Sequence, residues 1–159
     1  MPHITPFLAY AEGAEDAAAF YVSLFPGSRI TGTTPFPPGS PLPAGSVMTV
    51  AFELEGRPYV ALNGGPHFSF TDAFSLSVEC DTQEEIDHYW ERLSEGGEAG
   101  PCGWLVDRFG MSWQVNPRAL ADMLADPDPA RAGRVMEAAL GMSKFDIAAL
   151  EEAYGDGAP

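Results

Sequence analysis

The side chains in this 159-residue sequence that could do chemistry fall into four groups. Asn63, Ser77 and Gln114 lie on segments that read as strands, and amides and hydroxyls placed on apolar walls orient a polar ligand by hydrogen bonds. The same three could instead form a satisfied polar cluster between structural modules. Trp104 and Trp113 could stack on a planar ligand through an indole face. For Trp113, which shares a strand face with Met111 and Val115, core packing is the expectation; Trp104 is open to either role. The histidines are His3, His67 and His88. His67 follows Gly64-Gly65-Pro66, where it could reach a pocket mouth or simply be solvated; His88 falls on a polar helix and is expected in solvent.

Two thiols complete the inventory. Cys80 ends an apolar strand and reads as core. Cys102 would be reactive only beside a base such as Arg108 or His67, and a buried inert thiol is the plainer reading. Neither belongs to a CxxC pair, so a zinc site is not expected.

These groups need elements to hold them. The tract Cys102 to Gln114, CGWLVDRFGMSWQ, reads as a β-hairpin: Trp104 to Val106 goes up, Asp107 to Gly110 turns, and Met111 to Val115 returns. Gly110 suits a turn because it takes positive φ without steric cost. Asp107 reads as a turn former, with Arg108 beside it as a possible contact for an anion. Period two sets Met111, Trp113 and Val115 on one face and Ser112, Gln114 and Asn116 on the other. A sheet with a core on one side and a wet pocket on the other would look like this.

The rest of the chain supplies two similar runs. Ile4 to Tyr10 reads as a strand and Glu12 to Phe25 as a helix, with Ala17, Ala18, Phe20, Tyr21, Leu24 and Phe25 near 3.6 spacing before Pro26-Gly27 stops it. Strands follow over Arg29 to Phe36, Val47 to Leu54 and Tyr59 to Leu62, the last two joined by Glu55 to Pro58. Pro35 to Gly45 holds five prolines and two glycines in eleven residues, a connector that could also cover a site. The second run begins with the strand Phe74 to Cys80. A helix capped by Asp81 or Thr82 comes next, with Glu84 and Glu85 in its first turn and Ile86, Tyr89, Trp90 and Leu93 as its apolar stripe. Its acids, Asp87 and Glu91 included, read as a solvated face. A short strand over Glu98 to Pro101 and the hairpin complete it. Both halves are β-α-β-β-β, a repeat of structure. Beyond Pro117 the pattern is helical: Arg118 to Leu124, a helix opened by Asp128-Pro129 with Val135, Met136, Ala139 and Leu140 as its stripe, and a last one from Asp146 through Tyr154. This tail is expected to pack on the body or on a second subunit, and Gly155 to Pro159 to fray.

The formal net charge of −15, from 23 acids against 8 Lys and Arg, argues against nucleic acid and anionic membrane surfaces as partners. No run of about 18 apolar residues and no signal-like N-terminus is present, so a cytoplasmic location is expected.

Taken together, ITPFLAY, AAAFYVSLFPGS, ALNGGP, CDTQEEIDHYWERL and CGWLVDRFGMSWQ resemble the vicinal oxygen chelate superfamily, which includes glyoxalase I, extradiol dioxygenases and fosfomycin-resistance proteins. Within it the chain is most similar to the PhnB-like branch, often labelled a 3-demethylubiquinone-9 3-methyltransferase domain. The resemblance spans residues 4 to about 117, with likeness also from Asp126 to Tyr154. It implies an α+β fold of paired βαβββ modules at 1–117, the first over about 4–66 and the second over about 74–117. The C-terminal helical extension, 118–159, belongs to the same domain, and a homodimer is implied.

Metal-dependent members place His or Glu ligands on the first and last strands of the modules. The corresponding positions here are Thr5, Pro6 or Phe7, Ser75 or Ser77, and Gln114 four residues past the turn glycine, with Asn63 ending the fourth strand. A neutral amide is a weak, uncharged donor for a transition metal, so no metal and no cofactor are expected. A methyltransferase of the Rossmann type would need a Gly-rich loop between a strand and a helix, and Ala11-Glu12-Gly13-Ala14 does not supply one. The reading is a protein that binds an unknown small polar or planar molecule through Asn63, Ser77, Trp104, Gln114 and His67, without metal. The alternative is a divalent-metal lyase or dioxygenase with ligands such as His3, His67 and Glu79; the methyltransferase is a second alternative and is disfavoured.

Overall fold

A computed structural model describes residues 2–155, which fall into two compact units, Met1–Phe70 and Thr71–Pro159. Each unit contains a four-stranded mixed sheet with a helix on one face, and the two together have the α+β, βαβββ plan.

In the first unit, β1 (Phe7–Tyr10), α1 (Ala14–Leu24), β2 (Arg29–Pro35), β3 (Val47–Leu54) and β4 (Arg57–Asn63) form a sheet in the order β1-β4-β3-β2. β1 runs parallel to β4 and the other pairs are antiparallel. Leu8, Tyr10, Val50, Phe52, Leu54 and Ala61 are buried with the α1 stripe of Ala14, Ala17, Ala18, Phe20, Tyr21 and Leu24. The alanines let the helix come close to the sheet, and the Tyr10 and Tyr21 hydroxyls meet at 3.1 Å. Two expected boundaries move. Ile4 is 97% exposed and lies outside β1, because its side chain gains no burial there. The β3–β4 turn is only Glu55-Gly56, with φ of 49° and 79°. Two left-handed residues make the tight hairpin turn that matches strand twist, and this brings Arg57 and Pro58 into β4. The Pro-rich loop is closed at its base by Phe36 and Ser46, and most of its residues are exposed.

In the second unit, β5 (Leu76–Cys80), α2 (Gln83–Ser94), β6 (Glu98–Ala99), β7 (Trp104–Val106) and β8 (Ser112–Pro117) form a sheet in the order β5-β8-β7-β6. Thr82 caps α2 in a reciprocal box with Glu85, which satisfies two backbone donors that a helix start leaves free. Ile86 and Leu93 are buried, whereas Trp90, expected in the core, is half-buried.

The tail forms α3 (Ala119–Leu124), α4 (Pro129–Leu140) and α5 (Ile147–Gly155) and belongs to this second unit. A polar clamp ties it down. Gln83 donates to the Phe145 carbonyl at 3.0 Å and accepts from the Ile147 amide at 2.9 Å, and Lys144 pairs with Asp87 at 2.6 Å. The hydrogen bonds from Lys144 and Gln83 hold the Asp87 carboxyl below its ordinary range. Next to the clamp, Cys102 and Gly103 donate backbone N–H groups to the Met142 and Ser143 carbonyls at 2.8 and 2.7 Å. Gly103 has φ of +76°, and a Cβ there would lie 2.5 Å from the Phe145 ring and 2.7 Å from the Val115 carbonyl oxygen. Glycine is what lets buried Phe145 seat against β8. Gly155 ends α5; the rest of the segment expected to fray, residues 156–159, lies outside the described residues.

Candidate functional site

The site is built on β8. On its inner face Trp113 and Val115 are buried with Met111. Trp113 is held by more than packing, because its Nε1–H donates to Asp107 Oδ2 at 2.8 Å. The other carboxylate oxygen accepts from the Phe109 and Met111 amides at 2.8 and 3.0 Å. Asp107 is 2% exposed, so the expected turn former is a buried anion that fixes the hairpin and the indole together. Arg108 is exposed next to it, with its guanidinium over the Phe109 ring.

On the outer face, strand pairing sets side chains into rows. Gln114 stands opposite Trp104 on β7 and opposite Ser77 on β5, which makes one continuous row across three strands. Asn116 stands opposite Glu79 in the next row, and Ser112 opposite Val106 in the row on the other side. The amides are tied into a ladder. Gln114 Nε2 donates to Ser75 Oγ at 2.9 Å, and Asn116 Nδ2 donates to Ser77 Oγ at 3.0 Å and to Gln114 Oε1 at 3.4 Å. Trp104 and Gln114 are half-buried and Ser77 is exposed. At the β6–β7 side a cavity of about 590 Å³ is walled by Trp104, Val106, Ser112, Gly100 and Pro101. An indole and an apolar wall, with the Gln114 amide next to Trp104 in the row, are groups that can hold a small planar molecule.

Three of the five sequence-predicted ligand residues, Ser77, Trp104 and Gln114, are thus brought together. Asn63 and His67 belong to the first unit. There the Asn63 amide is fully used: Oδ1 accepts from the Ala14 amide at 2.9 Å, and Nδ2 donates to Glu15 at 2.7 Å and to the Val47 carbonyl at 2.9 Å. It fastens the start of α1 to β3 and β4. His67 is exposed in the loop after β4, His3 is exposed near the N-terminus, and His88 is exposed on α2 against the Tyr89 ring. Cys102 is half-buried rather than buried; its backbone takes φ of 54°, and its Sγ donates to the Ala139 carbonyl at 3.4 Å. Cys80 is 1% exposed, and burial, reinforced by Glu85 and Asp81, pushes its thiol up to about 11. The sequence names Ser75 as a ligand position and sets Asn116 on the polar face, but not the hydrogen bonds that join them to Gln114 and Ser77. The period-two pattern was the available signal for the placement of both.

The donor set does not suit a transition metal. The Gln114 oxygen, its one metal-binding atom, is uncharged and already accepts from Asn116, and its neighbours in the row are a hydroxyl and an indole. Among the described residues, no three His, Cys, Asp or Glu side chains stand close enough to share an ion. No helix is long and apolar enough to cross a membrane among the residues described.

A family model described as 3-demethylubiquinone-9 3-methyltransferase matches residues 2–116. A PhnB protein from Bacillus cereus is 34% identical over 72% of this chain and 98% of its own, with a TM-score of 0.64. The chain belongs to the family this model describes and is PhnB-like. A Pseudomonas aeruginosa protein shares the fold of this PhnB-like chain at 23% identity and a TM-score of 0.60, over 74% of this chain and 98% of the other. The fosfomycin resistance protein FosX from Mesorhizobium loti does so at 12% identity and a TM-score of 0.54, over 79% and 98%. Both are likenesses of fold. Comparison of the PhnB-like chain with curated proteins gives no match.

Proposed function

We propose that this protein binds a small planar, polar molecule on the outer face of its second sheet, without a metal. The observation that carries the reading is the row Trp104–Gln114–Ser77 beside the 590 Å³ cavity. Trp104 would stack on the ligand, Gln114 would accept or donate at its edge, and Ser77 would orient Gln114's neighbour Asn116 or reach a polar substituent. Fold alone does not name the ligand, since one frame in this superfamily carries unrelated chemistries. Binding or sequestration needs nothing more than these groups supply.

The methyltransferase reading has less support. The β1–α1 junction has no Gly-rich cradle, and the Ala14 amide at the helix start is already taken by Asn63. A metal-dependent lyase would have to recruit His3, His67 and Glu79, all three of which are exposed. The homodimer that the family resemblance implies would be measured by sedimentation.

The test is a thermal-shift screen of planar heteroaromatic compounds on the metal-free protein, repeated with Trp104→Ala and Gln114→Ala. Hits that stabilise the native chain and lose their effect in both variants support the reading. Hits indifferent to Trp104, or stabilisation that appears only with a stoichiometric divalent ion, overturn it.

A further inference from the structure

The outer face of the second sheet carries another cavity, which shares Ser77 and Gln114 with the planar-ligand row but extends away from Trp104. It lies on the β5 side, between the strands and helices α3 and α4, and holds about 310 Å³. That volume sits at the low end for ligand sites and suits a molecule with a single ring. The floor is polar, with Gln114, Asn116 and Glu79; the wall is apolar, with Leu124, Met136 and Phe145.

The hydrogen-bond directions give the floor a sign. Gln114 donates its amide N–H to Ser75, and Asn116 donates its own to Ser77 and to Gln114. Asn116 thus spends both of its N–H groups and keeps its carbonyl as an acceptor, while the Gln114 carbonyl accepts from Asn116. Glu79 adds a carboxylate, opposite Asn116 in the strand register. The cation at the rim, Arg118, is ion-paired to Asp81 at 2.7 Å. The cavity is therefore rich in acceptors and lacks a free cation of its own.

We propose that this cavity binds a small primary ammonium with an apolar body. The ammonium donates to the Glu79 carboxylate and the Asn116 carbonyl, and the body lies against Leu124, Met136 and Phe145. An ammonium brings three donors and no acceptor, which is the complement of this floor. The net charge of −15 favours approach of a cation. The two sites share Ser77 and Gln114 and are told apart by Trp104 in one and Glu79 in the other.

The test uses the full chain and three probes of like size: 2-phenylethylamine, 2-phenylethanol and 3-phenylpropionate. Titration calorimetry at low salt is expected to show the amine binding at least about tenfold more tightly than the alcohol, a difference of about 1.4 kcal/mol, with no heat from the carboxylate. Glu79→Gln is expected to weaken the amine about tenfold and leave the alcohol unmoved. A second readout works on the unaltered chain. Cys102 lines the cavity, so saturating amine should slow its alkylation several-fold, while buried Cys80 stays silent. Equal binding of amine and alcohol, tighter binding of the carboxylate, or an unchanged Cys102 rate at saturation overturns the proposal. Planar ligands scored on the same preparation separate the two sites: their binding with the amine arm absent sinks this inference alone, and the converse sinks only the reading at Trp104.

Discussion

Replacing Asp107 separates a turn former from a buried anchor. Its carboxylate accepts from Phe109 N, Met111 N and Trp113 Nε1, and only 2% of the residue is exposed. Asp107→Asn can keep one oxygen for the two backbone amides but sets an N–H₂ against the indole N–H, orphaning one buried donor. That costs about 1–3 kcal/mol. Asp107→Ala orphans all three donors, and with partial relaxation about 3–5 kcal/mol is expected. The assay is favourable because Trp90, Trp104 and Trp113, the three tryptophans, all fall in Thr71–Pro159. Urea unfolding followed by indole fluorescence therefore reports the second unit alone. In the double variant Asp107→Asn with Trp113→Phe, the indole N–H is gone. The cost of Asp107→Asn measured in the Trp113→Phe background should fall by about 1–2 kcal/mol. If Asp107→Asn lies within about 0.5 kcal/mol of the native chain, or if Asp107→Ala costs no more than Asp107→Asn, the carboxylate does not hold the hairpin and the reasoning fails.

Four other outcomes follow from the same geometry. Asn63→Ala should cost about 1–2 kcal/mol by freeing the start of α1, visible in far-UV circular dichroism with little change in the indole transition. Gly103→Ala should destabilise the second unit by more than about 2 kcal/mol, since the added methyl meets Phe145 and the Val115 carbonyl while the backbone stays left-handed; Gly133→Ala, open on all sides, serves as the mild comparison. Asp87 and Asp126 are both held below the ordinary carboxylate range, Asp87 chiefly by Lys144 and Asp126 chiefly by the Tyr154 hydroxyl. A depressed carboxyl stabilises above its unfolded value and loses that contribution as pH falls through the native one, so hydrogen exchange in α4 and α5 should quicken below about pH 4 and not between neutral pH and 6. Native protein should take up one equivalent of iodoacetamide, at Cys102, and a second only on unfolding, because Cys80 is buried with its thiol raised to about 11.

Strand phase was legible in the sequence wherever apolar and polar residues alternate strictly. Met111, Trp113 and Val115 against Ser112, Gln114 and Asn116 fixed the two faces of β8, and the register then set Trp104 and Ser77 beside Gln114. Long-range partners of single polar atoms were not legible. Asn63 reads as a strand-end amide, yet its carbonyl caps a helix that begins 49 positions earlier in the chain. Asp107 reads as a turn residue because its two amide bonds are local; the bond to the Trp113 indole depends on a rotamer that no pattern displays. That α3 and α4 wall a cavity over Asn116 and Glu79 was equally hidden. The amphipathic stripe of α4 shows that Val135 and Ala139 are buried, but a stripe does not say which surface it meets.

Lys144 is the only lysine in this sequence, and it forms the ion pair that closes the tail clamp on α2. On most proteins an amine-selective reagent scatters its adducts over the surface, and no single product has a distinct meaning. Here acylation has one side-chain target, and taking its charge removes the partner of Asp87. Mass spectrometry could then count molecules whose clip is chemically cut, in a mixed population, without any substitution in the gene. Release of the tail helices would be titratable by reagent dose.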